Sequence, residues 1–141
     1  VNATVAELMR SPVMTITKHQ TIGHARDLMA EHRVSALPVV GPADEPLGML
    51  TASDLVDGHG HPDGAPVSAA MSPDPYTVPP GEGPHVAARI MRNHHLHHVL
   101  VVDQQRVVGM LSSFDLLKLV EDHRYQAKQP PTPAKRDAGR R

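Results

Sequence analysis

Apolar residues fall at helical spacing over residues 21–32, where Ile22, Ala25, Leu28 and Met29 share one face and Arg26, Asp27 and Glu31 lie off it. That pattern predicts an amphipathic helix with one buried side. Thr21 precedes it as a candidate N-cap. Two continuous apolar runs follow, residues 37–40 and 47–51, separated by Gly41, Pro42, Asp44 and Pro46. Turn residues between two such runs predict an antiparallel hairpin, and the lack of alternation predicts strands covered on both faces. A further helix starts near Ala52. Upstream, a short helical stretch ends at Met9, Ser11-Pro12 stops it, and residues 13–17 favour a strand.

The same order then repeats. Val5/Val67, Met9/Met71, Thr15/Thr77, Ala25/Ala87, Met29/Met91, His32/His94, Val39/Val101 and Val40/Val102 are identical pairs 62 residues apart. Gly48/Gly109, Met49/Met110, Leu50/Leu111, Asp54/Asp115 and Leu55/Leu116 are identical pairs 61 apart, after a one-residue deletion in the second hairpin. A period this long means a tandem of two small units, each too small to bury much surface alone. In the second unit Gly83-Pro84 opens the helix, since proline loses nothing at the first helical position. Its strands are predicted at residues 76–78, 99–102 and 107–112, and its last helix begins near Ser113. Residues 3–58 and 67–124 are thus the two repeats, joined by a linker at 59–66. Residues 125–141, rich in proline and basic residues, are expected to be disordered.

Composition narrows the function. Tyr76, Phe114 and Tyr125 are the only aromatic residues, so the core is aliphatic. The scarcity argues against a reader of single-stranded nucleic acid, which stacks bases on aromatic rings. No cysteine is present, which excludes disulfides, thiolate zinc sites and cysteine nucleophiles. No apolar run is long enough to cross a bilayer, and the expectation is a cytoplasmic protein. Net charge is −1; five basic residues against Asp137 give the tail from Gln126 a charge of +4, leaving −5 on the rest. The folded part therefore has no overall attraction for nucleic acid.

The chemistry concentrates where the last strand of each repeat meets its helix. The chain reads Gly48-Met49-Leu50-Thr51-Ala52-Ser53-Asp54 and then Gly109-Met110-Leu111-Ser112-Ser113-Phe114-Asp115. A hydroxyl ends the strand and a carboxylate follows three residues later. Helix capping by Thr51 or Ser112, with Asp54 or Asp115 facing the helix dipole, accounts for either instance alone. The same groups suit a phosphate at a helix start and a carboxylate that accepts two ribose hydroxyls. Both readings stay open on spacing. No P-loop, dinucleotide fingerprint or nucleophile–base pair is present, so the chain does not read as an enzyme and no cofactor is implied.

The tandem Gly-to-Asp motif after Leu37-Pro38-Val39-Val40 and Val99-Leu100-Val101-Val102 resembles the CBS domain family, two repeats of which make a Bateman module. The resemblance covers about residues 3 to 120. It implies an α/β fold of two β-α-β-β-α repeats packed with pseudo-two-fold symmetry, with two clefts between them. It also implies an adenosine-containing ligand: AMP, ADP, ATP, S-adenosylmethionine or NADH. Carried over by position, Thr51 and Ser112 would meet phosphate, and Asp54 and Asp115 the ribose. Thr15-Ile16, Thr77-Val78, Leu37-Pro38 and Val99-Leu100 would flank adenine. Lys18, Leu100 and Ser112 depart from residues common in the family, so the Thr51/Asp54 cleft carries the fuller motif. A homodimer and a separate effector protein are further expectations from the resemblance.

Eleven histidines remain, His94, His95, His97 and His98 among them. Imidazole is a common metal ligand, but a helix end and a strand start seldom bring four of them to one point, so no metal site is assigned. His98 is the candidate to reach a ligand phosphate. A ligand-independent interaction module and a histidine-based metal-responsive protein are the alternatives. The recurring methionines are read as core packing.

Overall fold

The computed structural model describes residues 3–56 and 60–121; the predicted tail and part of the predicted linker lie outside them. Helix α1 (Val5–Leu8) leads into strand β1 (Ile16–Thr17), helix α2 (Ile22–His32), strands β2 (Ala36–Val40) and β3 (Pro46–Thr51), and helix α3 (Ala52–Val56). The second repeat runs through a 3-10 turn (Val67–Ala69), β4 (Ser72–Pro73), β5 (Thr77–Val78), α4 (Pro84–His94), β6 (His98–Asp103), β7 (Arg106–Ser112) and α5 (Ser113–Glu121). In each repeat a parallel pair, β1 with β2 or β5 with β6, is joined to an antiparallel hairpin. The fold is thus α/β, each repeat a three-stranded sheet with helices.

Local chemistry fixes the elements where the pattern placed them. The Thr21 side chain accepts a hydrogen bond from the His24 amide at 3.1 Å, capping α2. Pro84 opens α4 behind Gly83. Both helices end on a left-handed residue, Arg33 (φ 55°) and His95 (φ 56°). Gln104 and Gln105, also left-handed at φ 51° and 66°, make the two-residue turn between β6 and β7, in the sense that the strand twist favours.

The repeats are not closed units, because their leading segments are exchanged. Val5 and Leu8 of α1 are buried with Val78, Ala87, Met91, Val99, Val101 and Leu111 of the second repeat. Val67, Ala70 and Met71 pack with Ile16, Ala25, Met29, Leu37, Val39 and Leu50 of the first. Backbone hydrogen bonds hold each exchange: Val5 N–H to Glu82 O at 2.8 Å, and Val67 N–H to Gln20 O at 2.7 Å. Next along the chain, Arg10 bridges to Met110 on β7, while β4 extends the first sheet by pairing Ser72 with Met49. A third cluster of Ala36, Leu100 and Met110, flanked by Val13, Met49, Val102 and Val107, joins the two sheets.

Gly48 and Gly109 make the exchange possible. A Cβ on Gly48 would lie 2.7 Å from both the Met71 sulfur and the Ser72 carbonyl oxygen, and one on Gly109 would strike the Met9 sulfur and sit 3.0 Å from the Arg10 carbonyl. At Gly48 the crossing backbone leaves no room for a side chain, and at Gly109 it leaves little. Gly48→Ala is therefore expected to cost about 1–3 kcal/mol through overpacking against backbone, and Gly109→Ala less, because the Met9 side chain can swing aside. Gly64→Ala, where nothing lies within 4 Å, should leave stability unchanged. Urea unfolding of the three variants beside wild type checks this.

Candidate functional site

The two Gly-to-Asp motifs fold into the same reciprocal cap. Asp54 Oδ2 accepts the Thr51 amide at 2.8 Å, and the Asp54 amide approaches Thr51 Oγ1 at 3.4 Å. Asp115 Oδ2 accepts the Ser112 amide at 2.9 Å, and the Asp115 amide donates to Ser112 Oγ at 3.0 Å. Each is a capping box with an aspartate in the usual glutamate position. Each helix start is also tied to the head of its hairpin, Ala52 N–H to Ser35 O at 2.8 Å and Ser113 N–H to His97 O at 2.9 Å. The cap uses one carboxylate oxygen and leaves the other free to act. In the second repeat Arg10 Nε stands 3.7 Å from Asp115 Oδ1. Among the described residues Asp54 has no such ion-pair partner.

The motifs open on two cavities between the repeats. One, of about 550 Å³, is lined by Thr51, Ser53, Asp54, Ser72, Asp74, Tyr76, His95, His97 and His98 among others. The other, of about 280 Å³, is lined by Arg10, Arg33, His97, His98, Ser112, Phe114 and Asp115 among others. Ser35, His97 and His98 line both, so the cavities share a wall. Tyr76 stacks on His94 with ring centroids 4.2 Å apart, its hydroxyl 3.1 Å from His94 Nδ1.

Of the residues expected to bind ligand, Thr51, Asp54, Ser112, Asp115 and His98 reach these cavities. Thr15, Ile16, Leu37, Pro38, Thr77, Val78, Val99 and Leu100 do not line either one. Ile16, Leu37, Val78, Val99 and Leu100 are core residues, buried where β1 meets β2, where β5 meets β6 and where the sheets face each other. Arg10, Arg33, Ser72, Asp74 and Tyr76 line the cavities unforeseen. All five belong to positions where the repeats differ: Arg10 answers to Ser72, Pro12 to Asp74, Met14 to Tyr76 and Arg33 to His95. Most positions differ between the repeats, so nothing in the sequence singled these residues out. Among the described residues no three of His, Asp and Glu gather where they could hold a metal ion, and no helix there is long and apolar enough to cross a membrane.

His98 is held below its ordinary value of 6.5, chiefly by burial and then by the neighbouring His97; Asp115 opposes the shift and Arg10 adds to it. A histidine depressed in the fold binds fewer protons than in the unfolded chain. Its contribution to stability is complete above pH 6.5 and is lost as pH falls toward the lowered native value. His98→Ala, which copies the matching Ala36, should flatten this part of the acid limb. Unfolding free energies measured from about pH 7.5 down to about pH 5 check the slope.

Comparison with known proteins places this geometry. The family described as the CBS domain matches residues 5–59 and 67–122. The CBS domain-containing protein YhcV of Bacillus subtilis is 32% identical over 117 residues, 81% of this chain and 83% of its own. Three solved structures share the fold. A CBS domain pair of protein MJ0100, in complex with 5′-methylthioadenosine and S-adenosyl-L-methionine, has a TM-score of 0.77 at 23% identity, covering 84% of this chain and 99% of that one. CBSX2 in complex with AMP has a TM-score of 0.78 at 20% identity, covering 87% and 99%. Hypoxic Response Protein I, with two coordinated zinc ions, has a TM-score of 0.75 at 26% identity, covering 82% and 98%.

Proposed function

The chain belongs to the CBS domain family, and on that premise we propose that it is a non-catalytic sensor of an adenosine-containing ligand. The observation that carries this is the free side of the Asp54 cap, which faces a cavity of about 550 Å³, within the ordinary size range for a small organic ligand. Asp54 keeps one oxygen for a ribose hydroxyl, Thr51 and Ser53 offer hydroxyls, and Tyr76 offers an aromatic face. The ligands named for the related MJ0100 and CBSX2 structures share an adenosine moiety, which supports the class and leaves the substituent open. The Thr51/Asp54 cleft is the principal site.

Binding would act by favouring one arrangement of the two repeats, since the cavity walls come from both. A partner protein would read that arrangement. A second copy of the chain is the first such partner. Phe114, Leu117 and Val120 lie at spacings of three on α5 and are 71, 58 and 69% exposed, a stripe of the kind that helices bury on association.

Asp54→Asn keeps the cap and removes the charge. Calorimetric titration with AMP, ADP, ATP, S-adenosylmethionine and NADH should show saturable binding in wild type. It should weaken at least tenfold in Asp54→Asn, about 1.4 kcal/mol. Binding by none of the five ligands refutes the proposal. Phe114→Glu with Val120→Glu should reduce the mass measured by sedimentation to that of one chain while leaving the fold intact.

A further inference from the structure

We propose that the Ser112/Asp115 cavity is a phosphate pocket and not a second nucleoside site. This takes the adenosine reading as given for the neighbouring cleft, while the residues that make a phosphate pocket stand apart from it.

The two cavities are built by equivalent positions, so their differences can be read residue against residue. Arg10 bridges to Met110 as Ser72 pairs with Met49, which makes Arg10 and Ser72 counterparts in space as well as in sequence. Arg33 and His95 are likewise counterparts, each the left-handed residue that ends its long helix. The second cavity therefore holds two guanidinium groups where the first holds a hydroxyl and an imidazole. Its one carboxylate, Asp115, is 2% exposed and already engaged by the Ser112 amide and by Arg10. With histidines neutral, the lining carries two positive charges against one negative. The Thr51/Asp54 cavity carries Asp54 and Asp74 with no arginine or lysine.

Size points the same way. At about 280 Å³ this cavity is about half the size of its neighbour at about 550 Å³. A nucleoside diol seated there would have to displace Arg10 from a buried carboxylate. A tetrahedral oxyanion needs little space and is matched by the planar donors of arginine. Two sources of that group fit: free phosphate, or the phosphate end of a nucleotide seated at Thr51/Asp54 that crosses the shared wall of Ser35, His97 and His98.

The test follows the amides of Ser112 and Ser113 by NMR while inorganic phosphate is added to wild type, Arg10→Ser and Arg33→His. Each variant copies the counterpart residue. Arg33→His also leaves the Arg10–Asp115 pair in place, should losing that pair unfold the chain. Saturable shifts in wild type, weakened at least tenfold in each folded variant, bear the pocket out. Shifts that match in wild type and Arg33→His, or no shifts at all, overturn it. Adenosine and AMP then separate the sources. If AMP binds more tightly than adenosine and Arg33→His removes only that advantage, the phosphate end of the nucleotide fills the pocket. If both bind equally and phosphate still binds beside them, free phosphate is the ligand. If phosphate binds and neither adenosine nor AMP does, the phosphate pocket stands and the adenosine reading falls.

Discussion

Two methionines pressed against two glycines hold this molecule in its arrangement. Met71 crosses Gly48 and Met9 crosses Gly109; a Cβ at Gly48 would meet the Ser72 carbonyl oxygen at 2.7 Å, and one at Gly109 would press on the Met9 side chain. The contact fixes where the leading segment of one repeat enters the other, and much else follows from that placement. Val5 and Leu8 complete a core of residues from position 78 onward, and Val67 completes one that begins at Ile16. Each repeat thus lacks part of its own interior, and the two share stability that neither holds alone.

The same crossing supplies the clefts. After Met9 and Met71 the chain passes alongside the last strand of the opposite repeat, which brings Arg10 to Asp115 and Ser72 into the cavity beside Asp54. The strand-to-helix caps are alike in both repeats, down to which oxygen accepts which amide. Difference enters through the exchanged segments and the helix ends. A symmetrical scaffold thereby presents two cavities of unlike charge and size without any change in fold.

Much of this was legible in the sequence, because apolar periodicity and turn chemistry are local. Thr21 caps α2 as its position suggested, Pro84 opens α4, and the hairpins lie within a residue or two of the apolar runs that predicted them. Repetition located the two motifs and their shared cap. What it concealed was partnership. Nothing near Val5 in sequence says that its neighbours are Glu82 and the second core. The aliphatic residues expected around adenine have the pattern of a buried strand, and Leu37, Val99 and Leu100 are buried entirely. Cavity residues such as Arg10 and Tyr76 follow from the exchange of segments, which no local pattern announces.

The exchanged segments also bear on what a single repeat could do alone. A chain holding a single repeat would carry a leading arm with no groove of its own to enter and a groove with no arm of its own to fill. It could close only by trading arms with a second copy, as swapped dimers do. The tandem has the form such a dimer takes once its halves are joined end to end. In the tandem the two grooves need not match, and arginine on one side with serine on the other changes the lining while the frame is kept.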